Sequence, residues 1–83
     1  MFSTYVLYSE LHDKIYIGFT SNVQQRILAH NDDKNSGWSR SFRPWKLIYF
    51  EEFESKSEAM AREKQLKSAK GRAFIRERIA GGF

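Results

Sequence analysis

An acidic side chain in the second half of the chain lies where a helix should be apolar. The residues around Glu63 have helical periodicity, and a step of about 100° per residue places Glu63 between Ala59 and Met60, close to Leu66. A buried carboxylate without a partner is costly, so it needs a cation, a hydroxyl group or a metal ion. Two hypotheses remain open: a structural ion pair with Arg26, and a metal site.

Two further candidate groups lie on an earlier predicted helix. Val23, Ile27 and His30 fall on one stripe of that helix, and Arg26 borders the stripe one turn before His30. Cationic or titratable groups therefore border the helix face that is expected to be buried. The structural alternatives are a packed histidine and an arginine that extends its charged end to solvent.

Tyr5 and Tyr16 form the third candidate pair. They lie on either side of a predicted hairpin and could face each other across it, with packed rings and hydroxyls at the sheet edge. Tyrosines are common in strands, and Tyr8 and Tyr49 lie in predicted strands without any assigned function. Packing alone also explains the pair.

The elements that must position these residues follow the order β-β-α-β-α-α. Strands are predicted over residues 2–8, 14–18 and 45–53, and helices over 21–31, 55–70 and 72–79, with a surface loop between residues 31 and 43. Capping boxes at Ser21 and Ser55 are expected to begin the first two helices, and Gly71 to end the second. The predicted fold is α+β: a small three-stranded antiparallel sheet flanked by helices, in a single domain over residues 1–83.

Composition restricts the function classes. The 83 residues contain no cysteine, which excludes disulfide scaffolds, thiolate metal sites and cysteine nucleophiles. No signal peptide or apolar run of membrane-spanning length is found, so a cytoplasmic protein without membrane association is expected. The net charge of +4 favours polyanionic partners, although a merely basic surface explains it equally.

Taken together, these residues resemble the pattern of the GIY-YIG nuclease superfamily. The matching positions are Ser3-Thr4-Tyr5, Tyr16-Ile17-Gly18, Arg26, His30 and Glu63. The resemblance covers the chain from Tyr5 to about Lys67. It is closest to the short, single-domain bacterial branch of YhbQ type, which is similar to the N-terminal nuclease domain of the excision-repair endonuclease.

The resemblance implies a role for each matching residue. Tyr16 would act as the general base or next to it, and Tyr5, with Tyr8 as an alternative, would orient the water. Arg26 would hold the scissile phosphate. His30 would orient the attacking water or help to deprotonate it, acting through a tyrosine hydroxyl. Glu63 would bind one divalent cation, Mg²⁺ or Mn²⁺. A free tyrosine has a pKa of about 10, so Arg26, His30 and the metal are expected to favour its phenolate.

The backbone and the neighbouring loop complete the expected site. Gly18 would let the backbone pass close to substrate or helix. Trp38 is expected to stack on unpaired bases or to cover the core, and Arg40, Arg43 and Lys46 to contact substrate phosphates.

The sequence departs from the family pattern in two places. Ser-Thr-Tyr replaces Gly-Ile-Tyr in the first motif, and Phe19 follows the second motif where repair nucleases tend to have lysine. Either Arg40, Arg43 or Lys46 replaces that cation, or turnover is weak.

The predicted function is therefore a metal-dependent endonuclease acting on nucleic acid, DNA rather than RNA, in repair or recombination. The main alternative is a binding module of the same fold that is inactive without a partner, and a protein partner that supplies specificity fits both hypotheses. A protein-interaction domain is a third hypothesis, and it predicts that Arg26, His30 and Glu63 are scattered over the surface.

Overall fold

A computed structural model describes residues 1–32 and 41–82. Its elements are β1 (Phe2–Ser9), β2 (Lys14–Thr20), α1 (Val23–Asn31), β3 (Lys46–Phe53), α2 (Lys56–Lys67) and α3 (Ala69–Gly81). The predicted order β-β-α-β-α-α and the α+β fold class are confirmed. None of the helices in the described ranges has the length and apolarity that a membrane span requires.

The three strands form one antiparallel sheet in the order β2-β1-β3. Since β1 is central and its side chains alternate, it supplies both sheet faces with core residues. One cluster contains Val6, Ile17, Leu66 and Ile75, beneath α2 and α3. On the other face, Tyr5, Leu7 and Trp45 form a second cluster, against which Ile27 of α1 packs. The sheet is therefore covered on both faces, and α1 and α2 lie on opposite sides of it.

The first helix begins one residue later than its predicted capping box. Asn22 is the N-cap, because its side-chain oxygen accepts a hydrogen bond from the Gln25 backbone N–H at 3.1 Å. The assignment of Ser21 was therefore wrong, and it failed because Asn caps a helix as well as Ser does. The second prediction is confirmed, since the Ser55 hydroxyl accepts from the Glu58 N–H.

The boundary between α2 and α3 lies at Ser68 rather than at Gly71. The Ser68 hydroxyl donates to the Gln65 carbonyl at 2.6 Å and accepts from the Gly71 N–H at 3.2 Å, so one residue caps both helices. Gly71 lies in the first turn of α3. A Cβ there would come within 2.3 Å of the Gln65 carbonyl oxygen, so its glycine is explained by close backbone approach rather than by a helix end.

Candidate active site

The predicted catalytic residues converge at the β2 side of the sheet. A cleft of about 520 Å³, referred to below as the tyrosine cleft, is lined by Phe2, Tyr5, Tyr16, Gly18, Phe19, Thr20, Ser21, Arg26, Lys56 and Glu63. The lining residues come from β1, β2, α1, α2 and the segment between β2 and α1. His30 does not line the cleft but contacts both tyrosine rings. The scattered arrangement that a protein-interaction domain would predict is thus not found.

The two tyrosines of the tyrosine cleft are diagonal neighbours on one sheet face. Tyr5 lies opposite Gly18 in the register of β1 and β2, and Tyr16 lies opposite Leu7. The tyrosine rings stack with centroids 6.2 Å apart. A Cβ on Gly18 would lie 2.7 Å from the Tyr5 hydroxyl oxygen. The absence of a side chain at Gly18 therefore makes room for the Tyr5 ring, where the sequence had suggested substrate or a helix.

We expect Gly18→Ala to destabilise the protein. The Tyr5 ring cannot move away freely, because Tyr5 is 1% exposed and packs against Tyr16. The added methyl group should cost about 1–3 kcal/mol of unfolding free energy, as overpacking typically does. Chemical denaturation measures the difference, with Gly81→Ala as the control because no atom lies within 4 Å of a Cβ at that helical position. Equal stability of the two variants would contradict the close packing of the Tyr5 ring against Gly18.

His30 is a buried histidine that contacts Tyr5. It is 6% exposed, and its Nε2 lies 3.3 Å from the Tyr5 hydroxyl oxygen. Burial, together with the charge of Arg26, lowers the pKa of His30. His30 is therefore neutral at neutral pH, which corrects its expected role as a cation that favours a phenolate. A neutral imidazole still fits the other predicted role, the orientation of a tyrosine hydroxyl.

The surroundings of Nδ1, the second ring nitrogen of His30, indicate which nitrogen carries the proton. Nδ1 is buried and has no hydrogen-bond partner among the described residues. A buried N–H without an acceptor is rarer than a buried lone pair without a donor, so the proton belongs on Nε2. His30 then donates to the Tyr5 oxygen, and the Tyr5 hydroxyl proton can point elsewhere. Burial and the neighbouring Tyr16 raise the pKa of Tyr5, which keeps Tyr5 protonated and unsuited to act as a base.

The lowered pKa of His30 predicts a pH-dependent stability. The unfolded chain binds a proton at this residue near pH 6.5, whereas the folded chain does so only at lower pH, so stability falls as pH falls through this window. We expect the free energy of unfolding to decrease between about pH 7.5 and 5.5 in the wild type, and the decrease to be smaller in His30→Gln. Denaturant titrations at several pH values measure it.

The control for this pH effect is His12→Gln, because His12 is exposed on the hairpin turn. This variant should keep the wild-type slope. Carboxylates contribute in a different window, since hydrogen bonds from Tyr8 and Arg76 lower the pKa of Asp13 and its contribution is lost only at more acidic pH. An unchanged slope in His30→Gln would contradict the neutral, buried histidine.

Glu63 lies on α2 at the wall of the tyrosine cleft. Its side chain is 22% exposed, and its one ion-pair partner among the described residues is Lys67, one turn later at 3.7 Å. The structural ion pair between Glu63 and Arg26, which the sequence left open, is absent from the described part of the chain. The Thr4 hydroxyl donates to the Ala59 carbonyl at 2.7 Å and so holds the helical turn that precedes Glu63 against β1.

The oxygens of Glu63 fit a weakly held divalent cation. The distant Lys67 contact leaves lone pairs that face the tyrosine cleft, and hard cations such as Mg²⁺ prefer carboxylate oxygens. Within residues 1–32 and 41–82 no cluster of three metal-binding side chains occurs. A cation at Glu63 would therefore keep most of its ligands as water or substrate oxygens, as Mg²⁺ commonly does.

Two of the predicted phosphate-binding cations lie away from the tyrosine cleft. Lys46 begins β3 and forms an ion pair with Glu10 beside the hairpin turn. Arg43 donates to the Asn31 carbonyl at the end of α1, at 3.4 Å. Neither residue lines the cleft. Trp38 and Arg40 fall outside the described residues, so their predicted contacts stay predictions.

Tyr8 does not replace Tyr5 as the first tyrosine. Its side chain follows Leu7 on the central strand and therefore points to the opposite sheet face. The Tyr8 hydroxyl donates to Asp13 at 2.9 Å, within the hairpin. The structure therefore leaves Tyr5 as the tyrosine of β1 that lines the tyrosine cleft.

Sequence patterns did not reveal two residues, Trp45 and Asn31, that support the tyrosine cleft from the interior of the protein. Trp45 is 3% exposed, and its ring lies 6.2 Å from Tyr16 and 6.4 Å from His30 between centroids. The Asn31 side chain accepts from the Trp45 N–H and donates to the Trp45 carbonyl, which joins the end of α1 to the start of β3. No local signal in the sequence indicates this pairing, because its partners are fourteen positions apart.

Lys56 is the other residue that the sequence did not single out. It lines the tyrosine cleft from the first turn of α2. It precedes Glu63 by seven positions, which places the two side chains on one stripe of the helix. That spacing is a signal by which Lys56 could have been found.

The profile of the GIY-YIG catalytic domain matches residues 1–77. This protein therefore belongs to the GIY-YIG family, a nuclease superfamily whose substrates are nucleic acids. The membership that the residue pattern suggested is confirmed.

The similar proteins carry the name UPF0213. One from Staphylococcus haemolyticus is 45% identical over 56 residues, which cover 68% of this chain and 68% of the relative. Another from Clostridium perfringens is 44% identical over 55 residues, which cover 66% of this chain and 59% of the relative. The solution NMR structure of a UPF0213 protein from Bacillus halodurans has a TM-score of 0.54 and 29% identity, and the match covers 93% of this chain and 84% of that one.

Proposed function

We propose that the protein is an endonuclease that uses one divalent cation, Mg²⁺ or Mn²⁺, to hydrolyse phosphodiester bonds in nucleic acid, with DNA as the expected substrate. One observation carries the proposal: Tyr5, Tyr16, Arg26 and Glu63 line one cleft, and His30 contacts its two tyrosines. Phosphodiester hydrolysis requires neutralised charge, an aligned water and a proton acceptor, and this set offers a group for each.

The residues divide the chemistry as follows. Arg26 binds the scissile phosphate by charge-assisted hydrogen bonds. Tyr16, in its phenolate form, accepts the proton of the attacking water, while Tyr5, oriented by His30, stays protonated and holds that water by a hydrogen bond. As the water oxygen bonds to phosphorus, the bond from phosphorus to the leaving oxygen breaks. Glu63 would hold the cation, which would polarise the phosphate and stabilise the negative charge of the leaving oxygen.

The second candidate function is a nucleic-acid-binding module that cuts only when a partner recruits it. Two observations favour it: Phe19 stands where repair nucleases tend to have lysine, and Glu63 is the one carboxylate among the described residues that line the tyrosine cleft. Both reduce the charge neutralisation and metal affinity of the protein alone. A protein partner that supplies specificity is compatible with either function, as are a cytoplasmic location and a role in repair or recombination.

The test is cleavage of a panel of labelled DNA and RNA substrates, in duplex, branched and single-stranded forms, with Mg²⁺, with Mn²⁺ and with a chelator. We expect strand cleavage that requires the metal and that prefers DNA. Binding without cleavage over the whole panel would replace the proposal by the recruited binding module. Cleavage that persists in the chelator would contradict the metal dependence.

A further inference from the structure

Two helices, α1 and α2, each bring a positive charge to the tyrosine cleft. Among its lining residues, Arg26 on α1 and Lys56 on α2 are the cations. Both side chains are exposed, and neither forms an ion pair in residues 1–32 and 41–82. Some surface cations elsewhere in the described chain are paired, as Lys46 is with Glu10 and Arg76 with Asp13. Within the described ranges, no carboxylate pairs with either of the two charges that border the tyrosine cleft.

The ammonium group of Lys56 lies beside the ring of Phe19. Its nitrogen is 6.0 Å from the centroid of that ring, at the limit for a cation–π interaction. Phe19 follows directly after Tyr16-Ile17-Gly18 on β2. The Lys56 charge therefore lies next to the end of the second motif, at a position where the motif itself has no cation.

Helix stability does not explain a lysine at this position. Lys56 is the first residue of α2, and a positive charge there opposes the helix dipole. Further along the same helix stripe, Glu63 follows at about 10 Å along the axis, given a rise of 1.5 Å per residue. One helix thus presents a cation and a carboxylate to the same cleft.

We propose that Lys56 is a phosphate-binding residue of this site: its ammonium group contacts a backbone phosphate of the nucleic acid in the cleft that Arg26 also lines. The inference rests on the proposed function and adds a substrate contact from α2. Lys56 supplies the positive charge that had been expected from Arg40, Arg43 or Lys46. The contact is to the backbone and reads no base, so it strengthens binding without sequence preference.

The test measures DNA affinity by fluorescence anisotropy at several salt concentrations, without metal so that no substrate is cut. A single-stranded or branched DNA from the cleavage panel serves as the probe. For Lys56→Gln we expect about tenfold weaker binding at low salt and a slope of log affinity against log salt that is smaller by about 0.7–0.9, the value of one lost phosphate contact. Lys56→Arg should retain the wild-type slope.

Lys64→Gln is the matched control, because Lys64 is exposed on the same helix and does not line the tyrosine cleft. It removes the same charge and should leave the salt slope near the wild-type value. In the double variant Phe19→Lys with Lys56→Gln, the cation returns on β2, and the slope should be restored. Thermal unfolding of each variant verifies that the fold is retained.

The outcomes separate the inference from the proposed function. If the wild type binds and cleaves while Lys56→Gln and Lys64→Gln have equal slopes, the inference is overturned and the nuclease remains. If the wild type neither binds nor cleaves any substrate of the panel, both are overturned. A reduced slope in Lys56→Gln alone, restored by Phe19→Lys, supports the phosphate contact.

Discussion

Glu63→Gln should abolish metal-dependent cleavage, with a rate loss of about 100-fold or more. The amide has nearly the shape of the carboxylate, so packing on α2 is preserved while the negative charge that attracts a cation is removed. Among the described residues that line the tyrosine cleft, Glu63 is the one carboxylate, so none of the others can replace it as a cation ligand. Single-turnover cleavage over a Mn²⁺ titration measures the effect.

Binding provides the internal check on this variant. Without metal, Glu63→Gln should bind DNA at least as tightly as the wild type, because a charge that repels phosphate is gone. Glu77→Gln is the matched control, since Glu77 is exposed on α3 and does not line the tyrosine cleft. If Glu63→Gln cleaves at the wild-type rate, Glu63 does not bind the metal ion and its role is structural.

Tyr16→Phe should lower the cleavage rate by about 10²–10⁴-fold, the usual contribution of a general acid or base. The ring remains, so its contacts with Tyr5, His30 and Trp45 can persist while the oxygen atom that, as a phenolate, accepts the proton is removed. We expect DNA affinity to change little, because Arg26 and Lys56 supply the charge. Cleavage rates under single-turnover conditions and anisotropy on the same variant separate the two effects.

Tyr8→Phe is the control for the loss of a hydroxyl. Tyr8 lies in the same hairpin but on the opposite sheet face, where its hydroxyl donates to Asp13. This variant should cleave at the wild-type rate, with only a small change in stability. Equal losses in Tyr8→Phe and Tyr16→Phe would mean that the hairpin, and not the Tyr16 hydroxyl, is what cleavage requires.

The fold could be predicted from local patterns because its elements are local. Alternation and turn residues indicate each strand of the hairpin, and Ser55 with Glu58 marks the start of α2. The predicted helix boundaries were wrong where two residues within a short stretch could each have capped or ended the helix. Asn22 rather than Ser21 caps α1, and Ser68 rather than Gly71 separates α2 from α3.

The arrangement of the candidate site was only partly predictable. Glu63 and His30 were identified because each breaks the apolar stripe of its helix. The spacing could not say whether Glu63 pairs with Arg26, since that depends on how α1 and α2 pack on opposite sheet faces. It also suggested phosphate contacts for Lys46, which the structure places beside Glu10 at the hairpin turn.

The sequence by itself determined which residue types are available for chemistry, the order of the elements, and membership of the GIY-YIG family, because periodicity and short motifs act over a few residues. Only the tertiary structure decided that Tyr5 packs over Gly18, that burial makes His30 neutral, and that Lys56 and Arg26 line the same cleft. These properties depend on distances between strands and helices far apart in the chain, and desolvation and charge coupling arise only when those elements pack together.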